Sequence, residues 1–355
     1  MRVLFDGYWW VRGPVSNRQV QREIVRHWID AFPDDDAVLV LRHADADAAD
    51  LPPRTTVRTT RLWPHGLASI AHYPWLARRV GADVIVTHNF TPWSQPSAVF
   101  VHDVMFQTSP EWFTRAERAY FWPIPRLLPR ADVVATSSRH EAERIAARNP
   151  RVRRAVEAIG LAVGTELAHA DPARPEGVAA DERYVLSVGR LNVRKNLGRT
   201  FDGALASGAV SPTRPLLVVG EPEGVRTEVD PSVRRAIDDG TVRFLGRVDD
   251  ANLAWLYAHA ELFVFLSLDE GFGLPPLEAL SFGCPVLASD IPVLRETLGP
   301  HARYVDPLDV SAIARAMAEL ADAPERVVPP ALPQWDDTVR RLRSAVLAAV
   351  RPQLP

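Results

Sequence analysis

The sequence predicts an α/β protein of two Rossmann-like domains, each a doubly wound parallel sheet, and three observations carry that prediction. Short apolar runs of strand length alternate with segments of helical period along both halves of the 355-residue chain. A stretch of Ala, Pro, Gly and acidic residues without sustained period, Gly164 to Asp181, separates the halves and reads as a linker. Several strands run directly into loops of glycine and charged residues, and doubly wound sheets bind ligands at the carboxyl ends of their strands. The expected division is a first domain over residues 1–165, a second over 166–335 and a terminal helix over 336–355.

In the first half, Val3 to Phe5 is the opening strand, and Asp6, Gly7 and the WWVRGPVSNR segment form a long loop. Gln19 to Ala31 has helical spacing, with Val20, Ile24, Val25 and Trp28 on one face. Ala37 to Leu41, Val57 to Leu62, Asp83 to Thr87 and Ala98 to Val101 are strands, and Leu67 to Val80 is a helix. Glu117 to Leu128 reads as a helix interrupted by Pro123 and Pro125. Asp132 to Thr136 is a strand that leads to a helix from Arg139 to Arg148, with Ser138 as its cap. The second half repeats the alternation. Its strands are Tyr184 to Val188, Leu216 to Val219, Val242 to Leu245, Leu262 to Leu266 and Pro285 to Ala288; its helices are Leu197 to Ala206, Asp250 to His259, Glu278 to Phe282 and Val310 to Ala321. Trp335 to Val350 is a last helix.

An apolar fraction of 47% and a charged fraction of 24% describe a globular protein, and no apolar run reaches the length of a membrane span. The opening MRVLFDG enters a strand directly, so no signal peptide is read and a cytoplasmic location is expected. Cys284, the single cysteine, has no partner for an intrachain disulfide, fits a reducing compartment and reads as a packing residue. The net charge of −3 divides into +4 over residues 1–165 and −7 over 166–355, so different jobs are expected of the halves. Eight of the ten tryptophans fall in the first half; rings of that size are first of all core residues, and most are expected to be packed. Of 41 basic residues only Lys195 is a lysine, which suggests a position where a compact ammonium is needed rather than a planar fork.

The densest chemistry lies in DEGFGLPPLEALSFGCPVLASD, Asp269 to Asp290. Glu270 and Glu278 flank Gly271, Phe272, Gly273 and Leu274, after one strand and before a helix that Pro275 or Pro276 can begin without sacrificing a needed N–H. A glycine loop at a helix start presents backbone N–H groups at the positive end of the helix, which suits an anionic or polyhydroxyl ligand. Read on its own, such a GxG is as well a tight turn between solvated acids.

The whole segment resembles the signature of retaining glycosyltransferases of family 4, the glycogen-synthase-like and sucrose-synthase-like superfamily, with mannosyl- and rhamnosyltransferases of bacterial surface polysaccharide assembly as the nearest type. In that signature a Glu, seven residues and a second Glu enclose GFGLP, and a G-x-P-V-x-x-S-D strand follows; Gly283, Pro285, Val286, Ser289 and Asp290 complete it here. The resemblance implies the GT-B architecture, two Rossmann-like domains facing across a cleft, with a terminal helix that crosses back to the first. It implies that Arg190 and Lys195 bind the donor diphosphate, with Arg194 as an alternative for either, and that Glu278 accepts hydrogen bonds from the ribose. Glu270 would contact the sugar ring near the reacting carbon, and backbone N–H groups from Gly271 to Leu274 would hold donor hydroxyls and phosphate. The turn at Arg247 and Val248 would meet the nucleobase, and Gly220 lies at the next strand end.

In the first half, VFVHDVMFQTSPEWF resembles the family's His-Asp loop, so His102 would hydrogen-bond a sugar hydroxyl and Asp103 would orient it. The family's glycine-rich loop after the first strand is matched weakly, by Gly13, Pro14, Val15, Ser16, Asn17 and Arg18, which leaves Gly13, Asn17 and Arg18 as acceptor-side candidates. The implied reaction moves a hexose, mannose-like by preference, from a nucleotide-diphosphate sugar, GDP-linked by preference, to a saccharide or lipid-linked saccharide. No cofactor, metal or nucleic acid is expected, since the cations at the diphosphate make a divalent ion unnecessary. Arg139, Arg144, Arg148, Arg151, Arg153 and Arg154 suggest peripheral contact with anionic lipid at the inner membrane face, although Glu141 and Glu143 fit an ordinary solvated helix equally. The alternatives are a nucleotide-sugar hydrolase or epimerase of the same architecture and a catalytically silent sugar-nucleotide-binding partner. A dinucleotide-dependent oxidoreductase is disfavoured, because no strand is followed by GxGxxG with an acid about twenty residues on.

Overall fold

The structure, a computed structural model, describes residues 1–94, 96–189, 192–220, 231–322 and 325–350. The chain forms two compact units, Met1–Gly164 with Pro333–Pro355, and Thr165–Leu332.

The first unit holds a seven-stranded sheet in the order β3-β2-β1-β4-β5-β6-β7. Its strands are β1 Arg2–Gly7, β2 Asp36–Arg42, β3 Thr55–Thr60, β4 Val84–His88, β5 Ser97–Phe100, β6 Val133–Thr136 and β7 Val156–Ala158, and neighbouring strands pair in parallel. Parallel strands are covered on both faces, which is why β4 and β5 are continuous buried runs rather than alternating ones. The order reverses between β1 and β4, so the loops after those two strands part to opposite sides and leave a crevice at their carboxyl ends.

The second unit repeats the design with six strands in the order β10-β9-β8-β11-β12-β13. They are β8 Val185–Val188, β9 Leu216–Val219, β10 Val242–Gly246, β11 Leu262–Phe265, β12 Val286–Ser289 and β13 Arg303–Val305. The reversal falls between β8 and β11. Val185, Leu216, Val218, Leu262, Val264 and Leu287 pack one face of this sheet against Ile313 and Met317 of the helix Val310–Asp322.

Several expected boundaries move. The segment from Gly164 to Asp181 is not a bare linker: Thr165–Ala168 is a short helix of the second unit, and Val178 is buried there. The first long helix runs Val15–Ala31, begun by Pro14 with its fixed φ of −57°, so Asn17 and Arg18 lie in its opening turns rather than in the loop. The helix expected from Glu278 starts at Leu274 and ends at Ser281, which puts Glu278 in its second turn rather than its first. Edge strands β7 and β13, three residues each and only half covered, carry too little apolar pattern to be read from sequence. Tryptophan departs most, since Trp63, Trp75, Trp93 and Trp122 are 76%, 49%, 62% and 56% exposed. Among the described residues no helix is long and apolar enough to cross a membrane.

The terminal helix Trp335–Val350 packs on Val15–Ala31 inside the first unit. Trp335 is buried and donates from Nε1 to the Val163 carbonyl at 2.9 Å, and Arg343 meets Asp35 through Nε at 2.8 Å and Nη2 at 3.1 Å. The terminal ammonium of Met1 shares Asp35, at 2.9 Å. Trp335→Ala is therefore expected to lower the unfolding free energy of the first unit by about 3 to 5 kcal/mol, the usual cost of emptying a buried tryptophan site. Chemical denaturation followed by circular dichroism measures it; a loss below about 1 kcal/mol would mean the helix is not part of that cooperative unit.

Candidate functional site

In the second unit the loops after β8 and β11 flank the point of reversal. The loop after β8 reads NVRKN in its described part, and its shape follows from the two asparagines. Asn192 caps the one-turn helix Val193–Lys195, its Oδ1 accepting from Lys195 N at 3.1 Å. Asn196 takes a left-handed conformation, φ 55°, which asparagine tolerates, and its Nδ2 donates to the Pro307 carbonyl at 2.7 Å. Between these anchors Lys195 is aimed at the loop after β11, where its Nζ lies 2.7 Å from Glu270 Oε1 and 4.4 Å from the centre of the Phe265 ring. Arg194 Nη1 lies 3.5 Å from Glu270 Oε2, and the amide of Leu268 donates to the Arg194 carbonyl at 2.8 Å, tying the two loops together.

Glu270 is buried. Burial alone would raise its pKa, but the charges of Lys195 and Arg194 outweigh that and hold the carboxyl below the usual carboxylate range, so it is ionised at neutral pH. Beyond it, Gly273 starts the helix Leu274–Ser281 at φ 91°, and a Cβ there would meet Leu294 Cδ2 at 2.5 Å, so only glycine fits. Glu278, also buried, accepts through Oε2 from the Tyr257 hydroxyl at 3.0 Å. Tyr257 comes from the helix Asp250–His259, and its phenol is held neutral, foremost by burial and then by the Glu278 charge.

In the first unit the reversal point carries a second polar cluster, centred on Asp6. This carboxylate sits inside β1, not in the loop after it, and its two oxygens accept four donors. The Tyr73 hydroxyl at 2.9 Å and Tyr8 N at 3.0 Å meet Oδ1; His65 Nε2 at 2.7 Å and His88 N at 3.3 Å meet Oδ2. Burial would raise the Asp6 pKa, but His65, His88 and these hydrogen bonds together bring it down to about 2. His88, at the end of β4, is stacked with His102 and meets His102 Nε2 through Nδ1 at 3.1 Å. Burial lowers the His88 pKa to about 4 and takes that of His102 well below its ordinary value, so both rings are neutral near pH 7.

These two clusters can be set beside known proteins. Residues 171–328 match the family described as Glycosyl transferases group 1. The matched segment is a little under half of the chain. It occupies nearly all of the second unit and contains Lys195, Glu270, Tyr257 and Glu278. Part of the chain is 39% identical over 136 residues to the O-antigen chain mannosyltransferase B of Escherichia coli, covering 37% of this chain and 35% of that protein. Another alignment gives 37% identity over 106 residues to the O-antigen chain mannosyltransferase RfbU of Salmonella typhimurium, 29% of this chain and 30% of the relative. The chain thus spans about a third of the length of these curated relatives. Among solved structures, a sucrose-phosphate synthase from Thermosynechococcus elongatus superposes with a TM-score of 0.67 at 20% identity, over 99% of this chain and 95% of that one. The Anabaena protein HepE in complex with UDP and glucose gives 0.63 at 18%, over 99% and 98%. At such identity the likeness concerns the fold, which is the paired Rossmann-like design of GT-B proteins.

Within the matched segment, Lys195, Arg194 and Glu270 come together in one ion-paired group, and Gly271, Phe272, Gly273 and Leu274 lead from it into the helix that carries Glu278. Phe272 and Leu274 turn their side chains inward, so only their backbone could serve a ligand. Val248 is half-buried in the turn between β10 and the cap residue Asp249. Gly220 follows β9 and donates its N–H to the Gly246 carbonyl at 2.9 Å. Arg190 lies outside the described residues.

Three assignments in the first unit need correction or completion. Asp103 does not orient His102: its Oδ1 accepts from Met105 N at 3.1 Å, a local turn, while the ring is positioned by His88 and its backbone N–H by Asn89 Oδ1 at 3.0 Å. Gly13, at φ 146°, lies under the Trp9 ring, where a Cβ would come within 2.4 Å. Arg18 turns back to the Val11 carbonyl through Nη1 at 3.2 Å. Sequence reasoning missed Asp6, His65, His88 and Tyr257. A carboxylate and a histidine each ending an apolar strand, LFD and VTH, were the visible signal for two of them.

The Asp6 cluster makes a pH prediction. His88 has a lower pKa folded than unfolded, so between about pH 4 and pH 6.5 the unfolded chain binds the extra proton and stability rises with pH. Acidification from pH 7 to pH 4.5 is expected to cost the first unit roughly 2 kcal/mol from His88 alone. The groups facing it are Asp6 on β1, His65 and His102; of these, Asp6 stays ionised throughout that range. Denaturation midpoints of wild type and His88→Gln across the range test this: the variant should show a flatter slope, and parallel slopes would exclude a buried neutral His88.

Proposed function

We propose that the protein is a retaining glycosyltransferase that moves a hexose from a nucleotide-diphosphate sugar to a hydroxyl of a saccharide or lipid-linked saccharide. The single observation that carries this reading is the Lys195–Glu270 pair at the sheet reversal of the matched segment. A carboxylate held ionised in a buried setting offers strong acceptors for sugar hydroxyls. An ammonium has three N–H donors, so a bond to Glu270 is compatible with one to a phosphate oxygen. Lys195 and Arg194 would neutralise the charge that grows on the nucleoside diphosphate as the bond between the anomeric carbon and the phosphate oxygen breaks. Arg190 is assigned the same task by its place in the motif. Glu278, one oxygen fixed by Tyr257, would accept from the ribose hydroxyls.

In this reading the acceptor oxygen bonds to the anomeric carbon on the face the leaving group departs from, and its proton passes to the departing phosphate oxygen. Glu270 and Glu278 therefore act as orienting groups, not as the pair of a double displacement. His102 contributes a neutral imidazole, and because Nε2 is engaged by His88, a sugar hydroxyl would meet Nδ1. A mannose-like sugar on GDP is favoured because curated relatives that match part of the chain are named mannosyltransferases. Surface polysaccharide assembly is favoured on the same ground. No metal is assigned a role.

Thermal unfolding with GDP-, UDP- and dTDP-linked sugars tests the donor site, since a ligand that binds only the folded chain raises its melting temperature by mass action. One nucleotide family should stabilise wild type, and Lys195→Ala and Glu278→Ala should lose the shift. If no nucleotide sugar shifts the wild type, the reading fails. Tyr257→Phe removes one hydroxyl from Glu278, so donor affinity should fall by about fivefold, the worth of one hydrogen bond of about 1 kcal/mol. Titration calorimetry reads this directly, and an unchanged affinity would remove Glu278 from the donor site.

A further inference from the structure

We infer that the first unit docks on an anionic lipid surface through a patch of exposed tryptophans and arginines, centred on Trp75, Trp93 and Trp122. The patch is one contiguous surface. The amide of Trp93 donates to the Ile70 carbonyl at 3.0 Å, and Arg78 Nη2 donates to Ser94 Oγ at 3.0 Å, which fasten the loop after β4 to the turn Ala68–His72 and to the helix Tyr73–Val80 that follows it and bears Trp75. Arg130 lies over the Trp93 ring, 4.7 Å from its centre, and joins that loop to the segment Pro123–Arg130. Arg126, one helical turn before Arg130, lies over Trp122 at 3.7 Å, and Arg79 lies over Trp75 at 4.8 Å.

Charge selects the occupant. Residues 51–82, 84–102 and 118–131, which make up these segments, contain no Asp or Glu, although the chain as a whole carries 44 acids. A surface of indoles among uncompensated arginines matches the headgroup layer of an anionic bilayer, where tryptophan settles and arginine meets phosphate. A saccharide would need open indole faces for stacking, whereas each of these three rings already lies under a guanidinium, and Trp75 also stacks on His72. The arginines from Arg139 to Arg154 fit less well, because Arg144 is paired with Glu141 and Arg154 with Asp132.

Such docking would bring a lipid-linked acceptor to the first unit and so deepens the proposed function, but its test uses binding alone and no turnover. The full chain is centrifuged with vesicles of phosphatidylcholine alone or mixed with phosphatidylglycerol. Wild type should sediment with the mixed vesicles only, its tryptophan emission should shift to the blue, and added salt should release it. Arg126→Glu with Arg130→Glu should weaken partitioning by at least about tenfold, given a few-fold effect for each arginine, and Trp93→Ala with Trp122→Ala should weaken partitioning and leave only the part of the emission shift that comes from Trp75. All four side chains are exposed, so the variants should keep the wild-type melting temperature and any nucleotide-sugar shift of the second unit. The proposal is overturned if wild type ignores the mixed vesicles at low salt, if either folded variant binds as well as wild type, or if the tryptophans are needed for a soluble polysaccharide instead.

Discussion

A carboxylate buried beside an ammonium is the interaction from which the second unit's site is built. Glu270 could not remain charged in its surroundings without Lys195 and Arg194, and Lys195 could not hold its position without the asparagine-bracketed turn that aims it. The pair also ties together two loops that the strand order sends to opposite sides of the sheet. Remove either partner and the remaining charge is left in a site too dry to hold it, a penalty larger than any single hydrogen bond. Gly273 then turns the chain at φ 91° into the helix that carries Glu278.

The first unit solves a similar problem with different parts. Asp6 occupies the equivalent reversal point, and neutral or weakly basic donors satisfy it instead of a fixed cation: two phenol or amide groups on one oxygen, an imidazole and an amide on the other. The consequence differs accordingly. In the second unit the fixed charges pull an anion inward, whereas in the first a rigid polar frame holds His102 uncharged, able to exchange hydrogen bonds with a neutral hydroxyl. Two sheets of the same design thus carry one charged and one uncharged polar cluster at their reversal points.

The sheets were legible because buried parallel strands are apolar throughout, and eleven of the thirteen were marked by runs such as Val84–His88 and Leu262–Phe265. The missing two, Val156–Ala158 and Arg303–Val305, are short edges whose burial comes from neighbours rather than from their own pattern. The motif at 269–290 placed Glu270 and Glu278 on one loop and helix, and the solitary lysine pointed to the neighbouring loop. What sequence could not show was which group answers which. Asp103 beside His102 looked like its natural partner, yet adjacent residues on a loop diverge, and the ring is held by His88, fourteen positions away. Tyr257 was hidden in a helix where a tyrosine is an ordinary packing residue. The exposed tryptophans run against the expectation of burial, which holds on average and fails where a surface has a use for an amphipathic ring.

The scarcity of lysine has a practical side. Lys195 supplies the only ε-amino group of the sequence, and the terminal amine, its one aliphatic rival, is bound to Asp35 in the first unit. Reductive methylation would therefore install an isotopic label at a single side chain, with the charge retained and a hydrogen bond to Glu270 still available. Its resonance would report any change at the Lys195–Glu270 pair without any engineered tag, in a protein whose forty arginines stay silent.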